Sequence, residues 1–168
     1  RDFAVSLPDR EYQLAGRLMA DAIAESVAAG TPVISALHRI ARGYGRSLGD
    51  SAVGAHKAPA SARAALELAV RTLSDNGYEP RLDDTRVVMV NCPFHALAQA
   101  HTELVCQMNH ALIDGLTEAL APHGPIAELR HWAVMVDQPV VYPSELVSDA
   151  RRALHPDEHL VEVLADRA

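Results

Sequence analysis

Three features of the sequence predict an α+β domain: amphipathic helical segments up to Ser74, a change from helical to alternating periodicity after Gly77, and a long apolar-striped segment beyond Cys92-Pro93. The expected architecture is three N-terminal helices, a small mainly antiparallel sheet, and a long helix after the Cys-Pro motif. Chain length agrees, since 168 residues are enough for one domain with an appendage. With 49% hydrophobic and 22% charged residues, the chain has the material for a core.

Each element follows from local chemistry. Ser6, Pro8 and Asp9 predict a helix start, because a hydroxyl and a carboxylate satisfy the orphan amides of a first turn. Tyr12, Leu14, Leu18, Met19, Ala22, Ile23 and Val27 then recur three to four apart, so one face is expected to be buried as far as about Ala29, with Gly30 as the left-handed cap. Thr31-Pro32 opens a second helix with the stripe Val33, Ile34, Leu37, Ile40, Ala41 and Tyr44. Gly43, Gly45 and Gly49 weaken it, and residues 49–60 read as a loop. Ser61 caps a third helix with Ala65, Leu66, Leu68, Ala69 and Leu73 inside, and Asp75-Asn76-Gly77 stops it.

Residues 78–82 and 86–90 predict a hairpin around Asp83-Asp84-Thr85, its second strand carrying the run Val87-Val88-Met89-Val90. Asn91-Cys92-Pro93-Phe94 ends that strand and opens a short helix to about His101. Thr102 with Glu103 then starts the long helix, striped by Leu104, Val105, Met108, Leu112, Ile113, Leu116 and Leu120. Gly115 inside it costs about 1 kcal/mol against alanine, which predicts close approach of another element there. Residues 126–136 read as a further strand of the sheet. Residues 144–154 and 157–164 read as short helices, dividing the chain into a domain over 1–136 and a C-terminal helical arm over 137–168.

Composition excludes several classes. Net charge is -7, with 15 basic residues scattered among 22 acidic ones, so this chain offers no platform for phosphate neutralisation. No apolar run is long enough to span a bilayer, and no secretory layout opens the chain, which reads as soluble and cytoplasmic. Two cysteines fit a reducing compartment rather than a stapled scaffold. The glycines around Gly43-Tyr44-Gly45 follow no strand and fail as a dinucleotide loop, and neither a Gly-x-Ser-x-Gly elbow nor a His-Glu-x-x-His pair occurs.

The densest group of metal-ligand types is Cys92, His95, His101, Cys106 and His110, five donors within nineteen residues. Cys92 stands at a strand-to-helix junction, where backbone amides favour a thiolate. Cys106 and His110 are four apart, which places them one turn apart on one helix face. Two thiolates with one or two imidazoles suit zinc, or an iron–sulfur centre if further ligands join. The competing reading is packing, because free cysteine is among the most buried residue types. His38, His56, His123, His131, His155 and His159 read as surface or loop residues.

The stretch Asn91-Cys92-Pro93-Phe94, His101, Leu104-Val105-Cys106 and Leu112-Ile113-Asp114-Gly115-Leu116 resembles the C-terminal region of ArsR-like or DeoR-like winged-helix bacterial regulators, and within them the iron–sulfur assembly repressors. The resemblance covers roughly residues 1–130, with a specific part of about 25 residues. It implies a sensor and dimerisation domain that reaches DNA only through a separate N-terminal winged-helix domain, and a chain opening on Arg1 rather than methionine is what such a piece would show. It also implies that Cys92 and Cys106 match the first two cluster cysteines. The pattern then departs: residues 126–136 hold no cysteine, and His123 and His131 are the nearby substitutes.

Three functions follow in order of preference. The first is the effector-binding, homodimerising domain of a transcriptional regulator, not an enzyme, triggered at Cys92/Cys106 by a metal or cluster. The second is a metal-free small-molecule sensor, its cavity lined by Leu14, Leu18, Leu37, Leu66, Met108 and Leu112. The third is an enzyme with Cys106 as nucleophile and His101 or His110 as base.

Overall fold

The computed structural model describes residues 11–89, 91–131 and 159–164. Its elements are α1 (Tyr12–Ala29), α2 (Val33–His56), α3 (Ala62–Ser74), β1 (Pro80–Asp83), β2 (Arg86–Met89), α4 (His95–Ala100), α5 (Thr102–Ala119), β3 (Ile126–His131) and β4 (His159–Leu164). The class is α+β, as the change of periodicity predicts. The sheet has the order β1-β2-β4-β3 with every neighbouring pair antiparallel.

The seam between α2 and α5 organises the domain. Each helix carries small residues at four-residue spacing, Ala41, Gly45 and Gly49 on α2 and Ala111, Gly115 and Ala119 on α5. Two backbones can approach closely only where side chains are absent. A methyl group on Gly45 would collide with the Leu112 carbonyl, and one on Gly115 with the Arg42 carbonyl, so each helix admits the other's backbone. At Gly49 such a methyl would lie 2.7 Å from the Leu116 carbonyl oxygen. Contacts advance in the same direction along both chains, so α2 and α5 run side by side in roughly parallel fashion. Arg42 bridges the outside of the seam to Asp114 and Glu118, and Arg46 reaches Glu118 at 3.6 Å. These exposed pairs contribute little beside the apolar packing.

Around the seam the core gathers Leu66 and Leu73 of α3, Val87 of β2, Phe94, and Val105, Met108, Leu112, Ile113 and Leu116 of α5, all fully buried. Each such side chain contributes about 1.5–3 kcal/mol by leaving water. Ser61 Oγ accepts the Ala64 N–H at 3.2 Å, Gly30 caps α1 at φ 69°, and a two-residue turn at Asp84-Thr85 closes the hairpin, as their residue types predict.

Three expectations are corrected. Residues 49–56 are helix rather than loop, because the glycines that weaken α2 in isolation are the ones its partner requires. Residues 159–164, expected as a helix of a peripheral arm, form β4 between β2 and β3, with Val163 opposite both Val87 and Ala127. The short apolar run Leu160, Val161, Val163 and Leu164, broken by Glu162, fits a strand as well as a short helix, and sheet pairing decides; the helical arm over 137–168 therefore does not hold for these residues. Ile23 and Val27, expected inside, are 56% and 82% exposed, since α1 packs through the narrower line Ala15, Leu18 and Ala22. The expected start of α1 before Glu11, the strand beyond His131 and the helix at 144–154 lie outside the described residues.

Candidate functional site

The end of β2 leads through Cys92 and Pro93 into α4, and this junction sits against α5. The His95 N–H donates to the Cys92 carbonyl at 3.1 Å, closing a tight turn, and the fully buried Phe94 anchors it. The Glu11 N–H donates to the Pro93 carbonyl at 3.3 Å, tying the start of α1 to the same place. Cys106 faces inward from the second turn of α5, 7% exposed, and Cys92 is half-buried.

The two thiols, separated along the chain, are within electrostatic reach of each other. Burial, and then the neighbouring Cys92 thiol, push the Cys106 thiol up to about 11 from its ordinary 9.0. Tyr78 completes the group. Its hydroxyl donates to Asn109 Oδ1, both side chains being buried. Burial, then the charges of Cys92, Tyr44 and Glu11, hold the Tyr78 phenol well above its usual range. The site is thus two thiols beside a phenol–amide pair, and Cys106 is a neutral thiol at pH 7, the reverse of an activated nucleophile.

The histidines lie elsewhere. His101 is exposed at the α4–α5 junction, and His95 is half-buried at the first position of α4. His110 follows Cys106 by one turn as expected, but its Nε2 pairs with the Ala127 carbonyl of β3 at 3.0 Å. Among the described residues no three His, Cys, Asp or Glu side chains converge on a metal-sized space. A four-ligand zinc centre or a cluster would therefore need ligands from beyond the described residues. His131, the other substitute ligand, pairs in register with His159 across β3 and β4.

Two features escaped the sequence reading. Local pattern places Tyr78 in a strand and Asn109 in a helix without joining them; a polar residue between the core positions Met108 and Leu112 is the signal that points to a buried partner. Of the residues expected to line a cavity, Leu18, Leu37, Leu66, Met108 and Leu112 are buried in the core and Leu14 packs against it half-buried. A cleft of about 380 Å³ opens instead on the α2–α5 seam, lined by His38, Arg39, Arg42, Gln107, His110 and Ala111.

Burial of the thiol and phenol has a consequence for stability. The unfolded Cys106 ionises from about pH 9 while the folded form keeps its proton to about 11. The folded state then binds more protons, so stability present below pH 9 is lost as pH rises through 11. Tyr78 adds a loss of the same sign above its ordinary 10.0. Denaturant titrations from pH 8 to 11 are expected to show this fall, made shallower by Cys106→Ala; an identical slope in the variant would remove the assignment.

No known protein family, characterised protein or solved structure matches the chain. Among the described residues, no helix is long and apolar enough to cross a membrane.

Proposed function

We propose that this chain is the sensor and dimerisation domain of a bacterial transcriptional regulator, with the Cys92/Cys106 pair as its trigger. The observation that carries this reading is that the chain's two cysteines, Cys92 at the β2–α4 junction and Cys106 on α5, are close enough for one thiol to raise the other's ionisation. An occupant held by both sulfurs would tie that junction to the helix whose other contacts reach α2 and β3. It would bias a DNA-competent state by its difference in affinity between states, typically about 1–3 kcal/mol. Two soft sulfurs without a third described ligand suit a thiophilic ion of low coordination number better than a closed zinc or iron–sulfur centre. DNA contact belongs to a separate winged-helix domain, and the working unit is a cytoplasmic homodimer.

Elemental analysis of the purified protein after exposure to zinc, iron and copper(I) salts tests the trigger. Metal retained stoichiometrically by the wild type and lost by the Cys92→Ser, Cys106→Ser variant is expected. Equal retention in both would remove it.

A second reading rests on the α2–α5 cleft. Its wall presents two imidazoles, an amide and two guanidinium groups, Arg39 paired with Glu25 and Arg42 with Asp114 and Glu118, so a small polar anion that shares these cations suits it better than an apolar effector. Perturbation of the His38 and His110 ring resonances by an anionic ligand, unchanged in the double serine variant, would favour it over the thiol trigger.

A further inference from the structure

Of the two guanidinium groups on the α2–α5 cleft, one is held firmly and the other is not. Arg42 is shared between Asp114 and Glu118 of α5, so two carboxylates would have to release it. Among the described residues Arg39 has a single carboxylate partner, Glu25, which reaches across from α1 and does not itself line the cleft. With side chains 62% and 28% exposed, this is a solvent-screened pair that costs little to open. Taken together, Arg39, Arg42 and Arg46 balance Glu25, Asp114 and Glu118, so an anion gains no net attraction while every pair is closed.

We propose that Glu25 is a built-in competitor of the cleft's occupant, and that this occupant is a small organic carboxylate. The proposal rests on the second reading above, the cleft as an effector site, and not on the thiols. The chemical class follows from the exchange. A guanidinium fork that already holds one carboxylate matches another in shape and charge, so Arg39 changes partner while Arg42 stays as a fixed cation on the same wall. His38 supplies a second reason. Its Nε2 is buried without a hydrogen-bond partner, so an occupant that draws this ring toward the cleft and accepts its N–H removes a standing cost. A cavity of about 380 Å³ holds an acid of a few carbons. The exchange also carries a signal, because the Arg39–Glu25 pair ties α1 to α2, closing when the cleft empties and opening when it fills.

Titration of the full chain with succinate, followed at the His38 and His110 ring resonances, tests this, with succinamide as the uncharged counterpart. The wild type is expected to bind succinate and not succinamide. Glu25→Gln frees Arg39 and leaves the cleft with a cation in excess, which is expected to tighten binding about fivefold. Arg39→Gln is expected to weaken it by about tenfold or more. Glu67→Gln breaks a comparable exposed pair with Arg63 on α3 and is expected to leave the affinity unchanged. Equal affinity in Glu25→Gln and wild type, the same tightening in Glu67→Gln, or inorganic phosphate bound as tightly as succinate overturns the inference. Resonances that shift with succinate but ignore Glu25→Gln leave the cleft reading standing without its competitor, whereas resonances that never shift remove both.

Discussion

Gly45→Ala and Gly115→Ala are each expected to destabilise the domain by about 3 kcal/mol or more, the upper end of overpacking costs. The reason is that the obstructing atoms are backbone. The new methyl would stand 2.7 Å from the Leu112 carbonyl carbon in the first case and 2.8 Å from the Arg42 carbonyl carbon in the second, closer still to their oxygens. No rotamer change relieves this, and α2 and α5 must separate along their length. Gly43→Ala and Gly54→Ala supply the control. They sit on the same helix with open space around them, so removing a helix-interior glycine should stabilise by about 0.5–1 kcal/mol. Urea titration of the four variants is expected to divide them by sign. A Gly45→Ala protein as stable as wild type would mean that the seam is looser than described.

Phe94→Ala is the second large effect. The side chain is fully buried in the core, and its loss is expected to cost about 3–5 kcal/mol through lost transfer and the cavity left behind. Its position makes the consequence local as well. Phe94 is the N-terminal cap residue of α4, two residues after Cys92, and its carbonyl accepts the Ala98 N–H at 2.9 Å. Loosening it frees the junction that holds one sulfur near the other. Alkylation of Cys106 under native conditions should therefore accelerate in Phe94→Ala well beyond what equal destabilisation by Leu66→Ala produces. Equal rates in the two variants would show that Phe94 supports the core alone.

Much of this fold could be read from local pattern, because local pattern caused it. The third helix carries its cap, stripe and stop in consecutive residues, and α5 announces itself by a stripe wide enough to be buried on several sides. What escaped reading depends on partners. Gly45 and Gly49 look like helix breakers until α5 is placed beside them, although the four-residue spacing with Ala41, mirrored by Ala111, Gly115 and Ala119, carries that information. The burial of Gly115 was legible because a glycine that costs helix stability implies a close neighbour. Residues 159–164 fit either element because a six-residue apolar run broken by one glutamate has no decisive period, and only a sheet with room between β2 and β3 selects the strand. At the site, the sequence offers Cys92 and Cys106 as a pair only through the resemblance, since their spacing along the chain does not bring them together by itself. The dispersal of the histidines was not legible, since spacing along α5 fixes the face of His110 but not that β3 would supply the carbonyl it binds.

The proposed trigger requires the two sulfurs to face a shared space, and a trivalent arsenical measures this directly. Phenylarsine oxide exchanges its oxygen for two thiolate sulfurs, releasing water, and holds firmly only where two thiols can reach one arsenic atom. One equivalent added to the folded protein is expected to form a single adduct and to silence both Cys92 and Cys106 toward a thiol reagent, while either single serine variant binds it weakly. Two thiols still titratable after that equivalent would contradict the shared site.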